Sequence, residues 1–476
     1  MPNLYRQISL KDTFSSCQDA FMEDIPTFFQ LLNDNIDIGD FIPHSFFNAF
    51  YQSTGRHRVY PLTGFLSALI LQKILSIPTD SMLIMLLNIC RELREFCGFT
   101  KVPDATRFTH FKQDFLPHIQ KMFENMVDYT EPICQSIDKA LADMLTLDTS
   151  GIELYVTENN PKTLNALIKK LKSYYKDKPD IDPYQMAYTL MPEHAAAAQN
   201  AVQQYINGHF CYAEKFVILT NGLGIPRHIQ FLDDDFKKMH PEITVDKKTD
   251  SPDDDKTIGD STALKPVLQD YFNIHPHFSP DTFLGDAAFD SYDIYTCLKD
   301  TFNFKRAVIP YNPRNESSLK EVGYNEYGYP VCPNDPNLPM KYCGHCHEKD
   351  RADRIKWICP KVHMEKGEWI CTCNNPCSTA KKGRTTYTYE NMAFRMFPGI
   401  QRGTDEWDSI YKIRTIVERA INHFKINMCV AGRKTRNHST TKADVYLAGI
   451  ASLFTVIVAS RINEPKYIRS LKPLVA

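Results

Sequence analysis

Residues 144–148 read Met144-Leu145-Thr146-Leu147-Asp148 and mark the point at which the pattern of the chain changes. A short apolar run of this kind is typical of a buried strand. Because Asp148 closes the run, we expect its carboxylate to lie at the edge of a sheet, where ligands bind. The stretch therefore predicts a sheet that begins here and carries a reactive acid.

The residues that follow predict further strands. Residues 216–220 and 225–232 flank Asn221-Gly222-Leu223-Gly224, a strong hairpin signal because glycine adopts the positive φ that a tight return requires. Thr282-Phe283-Leu284-Gly285-Asp286 is a second short strand that ends in an acid. We expect helical segments at 161–207, 266–272 and 292–299, and a strand at 307–310. This order predicts a mixed α/β fold.

Upstream of residue 140 the chain has the apolar spacing of helices. Residues 65–77 and 81–96 form two such segments, separated by Pro78 and a Thr79-Asp80 cap signal, and a third begins after Pro103-Asp104. We predict an all-helical N-terminal domain over 1–140. It would serve DNA-end binding or dimerisation, although simple packing explains the pattern equally well.

A second informative stretch spans residues 411–425. On a helix at 100° per residue, charged residues would share a sector about 60° wide, next to an apolar stripe. The polar members are Tyr411, Arg414, Glu418 and Lys425, and the apolar members are Ile413, Val417, Ala420 and Phe424. A carboxylate beside basic groups suits a metal ion held near phosphates. The alternative is a solvated helix with accidental ion pairs.

Length and charge limit the class of protein. A chain of 476 residues with 43% hydrophobic residues indicates a globular protein of two to four domains.

Residues 381–442 contain 13 Lys and Arg against 5 Asp and Glu, a local net charge of +8 that leaves −10 elsewhere. A polyanion would be attracted there, unless this is an ordinary solvated face. No signal peptide opens the chain, and the apolar run 445–459 is shorter than a membrane span, so we predict a core helix.

Half of the fourteen cysteines lie between residues 332 and 377: Cys332, Cys343, Cys346, Cys359, Cys371, Cys373 and Cys377. Without a signal peptide they indicate reduced thiols or metal ligands. Cys343 and Cys346 have knuckle spacing, and Cys371 and Cys377 would complete a tetrahedral thiolate site for structural Zn²⁺. The alternative is a β-rich segment with reduced cysteines.

The polar residues of 411–425 match the Tyr-Arg-Glu-Lys signature of bacterial insertion-sequence transposases of the DDE, ribonuclease-H-like superfamily. The chain resembles that family from about residue 60 to 460, and the segments around Asp148 and Asp286 look like its two aspartate motifs. The resemblance implies that the catalytic residues Asp148, Asp286 and Glu418 bind Mg²⁺ or Mn²⁺, for which carboxylates are suitable ligands. It also implies DNA-phosphate contacts by Tyr411, Arg414 and Lys425. Asp290 is a rival for the second acid position.

The resemblance also implies an architecture and an activity. A ribonuclease-H-like catalytic core would comprise 141–312 and 406–476, interrupted by a cysteine-rich, mainly β insertion at 313–405. The protein would cleave element ends and transfer strands into target double-stranded DNA. It would act as a homo-oligomer in the bacterial cytoplasm, associated with the nucleoid when bound, with no membrane partner. The alternatives are a metal-dependent nuclease without strand transfer and a catalytically inactive DNA-binding regulator.

Overall fold

The structure is a computed structural model, and it forms two compact units. It describes residues 27–52, 54–55, 57–206, 209–244, 258–312, 323–325, 327, 329–348, 354–389, 394–395, 398–400 and 402–475. The first unit comprises Met1–Ile133, Ile152–Ala201 and Asn422–Ala476. The second comprises Cys134–Gly151 and Val202–Ile421. The segment 406–476 that the sequence assigned to one domain is thus divided between the units.

Helices supply most of the first unit and flank the sheet of the second. The α-helices are α1 Thr27–Asn35, α2 His44–Phe50, α3 Leu62–Ile74, α4 Asp80–Ile89, α5 Arg91–Phe96, α6 Ala105–Asp114, α7 Leu116–Ile137, α8 Lys139–Ala142, α9 Pro161–Tyr174, α10 Pro183–Leu190, α11 Asp234–Met239, α12 Asp260–Ile274, α13 Tyr292–Thr296, α14 Asp405–Tyr411, α15 Thr415–Asn422 and α16 His438–Arg461. Short 3₁₀ turns are found at Ile38–Phe41, Thr157–Asn159, Ala287–Phe289, Lys412–Arg414, Pro465–Tyr467 and Lys472–Leu474. Single π-helical segments lie at Cys297–Thr301 and His423–Asn427.

The strands are β1 Met144–Glu153, β2 His194–Ala195, β3 Ala198–Ile206, β4 His209–Asn221, β5 Pro226–Phe231, β6 Thr282–Leu284, β7 Arg306–Val308, β8 Val331–Cys332, β9 Asp335–Pro339, β10 Lys341–Cys346, β11 Arg354–Ile358, β12 Val362–Glu365, β13 Glu368–Cys371 and β14 Thr385–Tyr389. A seven-stranded sheet has the order β2-β3-β4-β1-β6-β7, with β5 beside β4. Strands β1, β6 and β7 pair in parallel, whereas β3, β4 and β5 pair antiparallel. The fold is mixed α/β, as predicted.

The first unit is built around α16, which packs against α3 and α6. By length and composition this helix of 24 residues is apolar enough to cross a membrane, with a mean hydropathy of 1.8, yet 94% of its apolar window is buried inside the protein. The core helix predicted for 445–459 is therefore confirmed. Helix starts also follow the sequence, since the side chains of Thr79 and Asp104 accept hydrogen bonds from the amides of Met82 and Arg107. The helix predicted over 81–96 is interrupted at Cys90, whose backbone is extended.

A buried ion network joins four helices of the first unit. Asp444 of α16 accepts from Lys73 and Lys112, each at 3.1 Å, and also pairs with Arg433. Asp80 at the start of α4 pairs with Lys112 at 2.8 Å and with Arg433 at 3.0 Å. The side chains of Lys73, Lys112 and Asp444 are at most 1% exposed. The network therefore connects α3, α4 and α6 to α16.

Three cations face two anions in this network, and the pKa values reflect the imbalance. Burial, assisted by Arg433, lowers the pKa of Lys73 to about 7. Burial alone would raise the pKa of Asp444, but Arg433, Lys112 and Lys73 hold it well below its usual range. Neutral Lys73 would balance the remaining charges, whereas loss of Asp444 would leave three buried cations with one partner.

The second unit confirms the predicted hairpin and changes two other predictions. β4 and β5 pair around the turn, where Gly224 has a φ of 77°. Gly222 allows a close approach of two backbone segments, because a Cβ there would lie only 2.8 Å from the carbonyl oxygen of Leu141. β1 continues to Glu153, so Asp148 lies within the strand and not at its end. The helical prediction for 161–207 is wrong after Leu190, because β3 extends the sheet as a neighbour of β4.

The residues that the structure describes between β7 and α14 are mainly β. β10, β11 and β14 form a three-stranded sheet, and β8-β9 and β12-β13 form hairpins. The chain then returns along β7, where the amide of Ala307 donates to Pro398 O at 2.8 Å. Gly399 has a φ of 77°, and any Cβ there would collide with the carbonyl oxygen of Lys305. The close approach requires glycine at this position.

Substituting Asp444→Asn is expected to destabilise the protein by about 3–5 kcal/mol, because it leaves buried cations uncompensated. Lys73→Met is the matched control, since it removes the one cation that is in excess, and should cost less than about 1.5 kcal/mol. Urea unfolding at pH 8, followed by circular dichroism, compares the two variants with the wild type. Equal losses from both substitutions would contradict the charge argument.

Candidate functional site

Two of the predicted acids, Asp148 and Asp286, each follow the paired part of β1 and β6 by two residues. In the parallel register Thr146 lies opposite Leu284. Continuing that register by two residues on each chain places Asp148 opposite Asp286, and residues two apart face the same side of a sheet. The amide of Gly285 still donates to Val308 O at 3.2 Å, so the chain follows β7 up to Asp286.

Asp286 follows β6 and caps the turn at Ala287–Phe289. One carboxylate oxygen accepts from the amide of Ala288 at 2.9 Å. Among the described residues the other oxygen has no hydrogen-bond partner. Asp286 therefore has an oxygen available for a ligand.

Glu418 reaches this place on α15, with Arg414 beside it. The Arg414 guanidinium donates to Glu418 at 2.7 Å, and the Glu418 side chain is 48% exposed. Arg414 also interacts electrostatically with Asp286, and Asp148 interacts with both Glu418 and Arg414. All three predicted acids thus interact electrostatically with one guanidinium within the second unit.

Apolar packing holds this segment against the sheet. One core cluster contains sheet residues together with residues of α14 and the 3₁₀ turn after it: Met144, Leu284, Val308, Ile400, Trp407, Ile410, Tyr411 and Ile413. The Tyr411 ring stacks on Trp407 at 4.8 Å, and the Arg414 guanidinium lies 5.8 Å from the Tyr411 ring centre. Tyr411 therefore links the packed side of the segment to its charged side.

Residues 411–425 are helical throughout, as predicted, but they do not form one regular α-helix. The chain passes from α14 through a 3₁₀ turn into α15 and ends in a π-helical segment. Thr415 contributes to the first break, since its hydroxyl donates to Lys412 O at 3.0 Å, a local bond that competes with regular helix. The structure groups Tyr411, Arg414 and Glu418, whereas Lys425 belongs to the first unit.

Asp260 is a neighbour of the site that sequence reasoning missed. Its carboxylate accepts from the Thr149 hydroxyl at 2.7 Å and pairs with Lys215 at 3.1 Å. The Thr149 amide in turn donates to Asp148 at 2.8 Å. Asp260 is 111 residues from Thr149. No local pattern points to it, because only the folded sheet and α12 bring the two together.

The charge of the site is visible in the pKa of Asp148. Burial, assisted by the carboxylates of Asp260 and Glu418, raises it to about 6 against the opposing effects of the Thr149 amide and Arg414. A carboxyl that resists ionisation among other carboxylates is typical of a site that requires a cation.

Asp290, the rival for the second acid, has a structural role. Its carboxylate is fully buried and receives two hydrogen bonds from the Arg395 guanidinium, at 3.0 and 2.7 Å. It also accepts from the amide of Asn312 at 2.7 Å. These bonds hold the segment that returns from the β-rich region, and they leave Asp286 as the better metal ligand.

The donor set fits a hard divalent cation. Three carboxylates provide oxygen ligands of the kind that Mg²⁺ and Mn²⁺ prefer. Their oxygens do not all lie within 4.8 Å of one another. Arg414, paired with Glu418, supplies the positive charge among them. A bound cation would take over that compensation and release the guanidinium for another anion.

The predicted zinc ligands fall into two places. Cys343 and Cys346 lie on β10 with a bulge between them, where Gly344 has a φ of 111°. Cys371 ends β13 and Cys377 follows it, and both are exposed. No three of the seven thiols have their sulfurs within 4.8 Å of one another.

A cleft in the first unit was also missed by sequence reasoning. It has a volume of about 920 Å³ between α2 and α6. Its floor is aromatic and its rim basic: Phe50, Phe65, Phe111 and Phe115 below, and His57, Arg58, Lys101, Arg107 and His110 above. The rim also holds Asp104 and Asp114.

The cations of the rim are exposed and largely uncommitted. Arg58 donates through Nε to Phe50 O at 3.2 Å and lies over the Phe50 ring at 4.8 Å. Within the described residues, Lys101 and Arg107 form no side-chain ion pair. The cleft therefore presents basic donors above aromatic surface, a combination suited to phosphates and bases.

Comparison with known proteins supports a transposase. Residues 17–114 match a family model described as "Transposase domain (DUF772)", 98 of the 476 residues. No curated protein matches the chain. A solved structure of a piggyBac transposase synaptic complex with hairpin DNA is 11% identical and covers 93% of this chain and 77% of that chain. The TM-score of the two structures is 0.36.

Replacing Asp148 should stabilise the metal-free protein at neutral pH. Because its pKa is raised from 3.8 to about 6, the folded state holds its proton more tightly, and stability falls as pH rises through that interval. We expect Asp148→Asn to raise the free energy of unfolding by on the order of 1–2 kcal/mol at pH 7.5 and to leave it unchanged at pH 4.

Thermal unfolding in the presence of a chelator measures this gain. Asp293→Asn, which changes an exposed acid of α13, is the control and should show no such pH-dependent gain. An Asp148→Asn variant that is less stable than the wild type at pH 7.5 would contradict the destabilising effect assigned to the ionised Asp148 carboxylate.

Proposed function

We propose that the chain is a DNA transposase with a ribonuclease-H-like core whose catalytic residues are Asp148, Asp286 and Glu418. The observation that carries the proposal is the parallel pairing of β1 with β6, which ends two residues before Asp148 and Asp286, together with the electrostatic interaction of Glu418 with Asp148. The match of residues 17–114 to a transposase domain supports the same class of protein.

The acids would hold Mg²⁺ or Mn²⁺, which activates an attacking oxygen and stabilises the leaving oxygen in phosphodiester displacement. Asp148, Asp286 and Glu418 would be its ligands. Arg414 would then contact a DNA phosphate, for which the planar guanidinium is well suited. Thr149 and Asp260 orient Asp148 through the bonds described above.

The proposed reaction has two displacements at phosphorus. In the first, water attacks a phosphodiester at the element end, the bond from phosphorus to the 3′ oxygen breaks, and a 3′ hydroxyl and a 5′ phosphate remain. In the second, that 3′ hydroxyl attacks a target phosphodiester and releases a 3′ hydroxyl of the target strand. The second step conserves the number of phosphodiester bonds, so no external energy source is required.

Double-stranded DNA is the proposed partner, and two element ends require a homo-oligomer to hold them. In the second unit, Tyr411 and Arg414 would contact phosphates near the cut. Lys425, in the first unit, would also contact a DNA phosphate. The basic cleft would bind a further part of the element end, because its exposed cations complement the phosphate backbone.

Asp286→Asn and Glu418→Gln are each expected to reduce end cleavage by at least about 10³-fold, since each removes a ligand of the cation. Binding of the same DNA should remain within about threefold of the wild type, because these acids do not hold the duplex. Labelled duplexes from the ends of the encoding element, incubated with Mg²⁺, report nicking and joining on gels. Asp293→Asn should retain activity.

The same gels separate the alternatives. Nicked products without joined products, under every condition, would identify a nuclease. Binding without any cleavage would identify a DNA-binding regulator. Either result would replace the proposed transposition reaction.

Neutralising the cleft should weaken binding without a change in chemistry. The triple substitution Arg58→Ala, Lys101→Ala and Arg107→Ala is expected to lower affinity for element ends at least about tenfold and to reduce the salt slope of binding by about 3. Fluorescence anisotropy over a range of salt concentrations measures both.

A matched control removes three lysines of α9, Lys162, Lys169 and Lys170, which are exposed and outside the cleft. Equal losses from both triples would show that only overall charge matters. Cleavage at saturating DNA should be normal in the cleft variant, which separates this prediction from that for the acids.

A further inference from the structure

We propose that Cys332, Cys359, Cys371 and Cys377 form a structural zinc site that holds the β-rich segment together. This set shares only two members with the ligands that sequence spacing suggests. The site is independent of the catalytic acids.

Backbone contacts bring three of these cysteines to one place. Cys359 follows β11, and its carbonyl accepts from Val362 at 3.3 Å. Val362 lies directly opposite Cys371 in the β12–β13 hairpin. The Thr372 amide donates to Lys361 O at 2.9 Å, which closes the hairpin beside Cys359. Cys359 and Cys371 therefore lie close together in space, because Val362 is hydrogen-bonded to the first and paired with the second.

Cys332 and Cys377 approach from the other sides. Met340 donates to Pro330 O at 2.7 Å, and its neighbour Lys341 pairs with Ile358, so the β8–β9 hairpin lies beside the end of β11. A Cβ added to Gly383 would meet the Cys359 Cβ at 2.6 Å, which places the turn that follows Cys377 against Cys359.

The electrostatic environment agrees with this grouping. The Cys359 side chain interacts electrostatically with the thiol groups of Cys371, Cys332 and Cys377. Cys332 and Cys359 are 7% and 6% exposed, whereas Cys371 and Cys377 are exposed. Zinc would draw the two exposed thiols toward the two buried ones.

Cys343 and Cys346 have other neighbours. Cys343 Sγ lies 3.9 Å from Lys382 Nζ, and Cys346 pairs across the sheet with Arg354. Both neighbours are cations, which would repel a metal ion. These two thiols serve as an internal control within the same sheet.

Four thiolates suit tetrahedral Zn²⁺, and a structural site of this kind contributes directly to folding. This site would tie the two hairpins to the three-stranded sheet. The hydrophobic cluster of the segment is small, with Tyr329, Met340, Ile355 and Trp357 as its buried members. A metal cross-link would supply stability that so small a cluster lacks.

The test uses the full chain purified under reducing, chelator-free conditions. Elemental analysis should find one zinc per chain. Cys332→Ser and Cys359→Ser should lower the content at least about fivefold, whereas Cys343→Ser and Cys346→Ser should leave it unchanged. Unchanged zinc in the first pair, or loss in the second pair, would overturn the ligand assignment.

Alkylation of the wild-type protein tests the same site without any variant. Zinc-loaded protein is treated with iodoacetamide before and after chelation, and peptide mapping identifies the protected cysteines. Protection limited to Cys332, Cys359, Cys371 and Cys377 supports the proposal. Protection of Cys343 and Cys346 instead, or a zinc-free protein, rejects it, and neither result bears on DNA cleavage.

Discussion

Parallel pairing of β1 with β6 is the constraint on which the proposed site depends. The pairing sets Thr146 opposite Leu284, and the same register continued by two residues would set Asp148 opposite Asp286. A shift by one residue would turn one of the two acids to the opposite face of the sheet. The register is set by buried apolar residues, since Leu145 and Phe283 pack in one core cluster and Met144 and Leu284 in another. Apolar packing on both faces thus determines where the polar chemistry lies.

Concentrating carboxylates in this way is unfavourable without positive charge. The raised pKa of Asp148 is due first to burial and then to the carboxylates of Asp260 and Glu418, and Arg414, which is bonded to Glu418, opposes the rise. Asp290 has the opposite arrangement. Both of its carboxylate oxygens accept hydrogen bonds from Arg395, so neither is available for a metal ion. Asp290 is thus satisfied by two hydrogen bonds from one arginine, whereas the carboxyl group of Asp148 has no such partner among the residues that the structure describes.

Local signals in the sequence predicted local structure well. The hairpin turn, the caps at Thr79 and Asp104 and the core helix α16 depend on residues close in the chain, and the structure contains all of them. Features that depend on distant residues were not predictable. Asp260 and the basic cleft arise only when remote segments meet, and a regular helical projection ignores the 3₁₀ turn at Lys412–Arg414.

The position of α16 in the chain has a consequence for biosynthesis. The helices it packs against, α3 and α6, leave the ribosome more than 300 residues earlier in the order of translation. Until α16 emerges, their apolar faces and the cations of Lys73 and Lys112 lack their partner Asp444. The first unit is thus completed last, and its apolar surface stays exposed on the nascent chain, where such surface favours aggregation, until α16 has been synthesised.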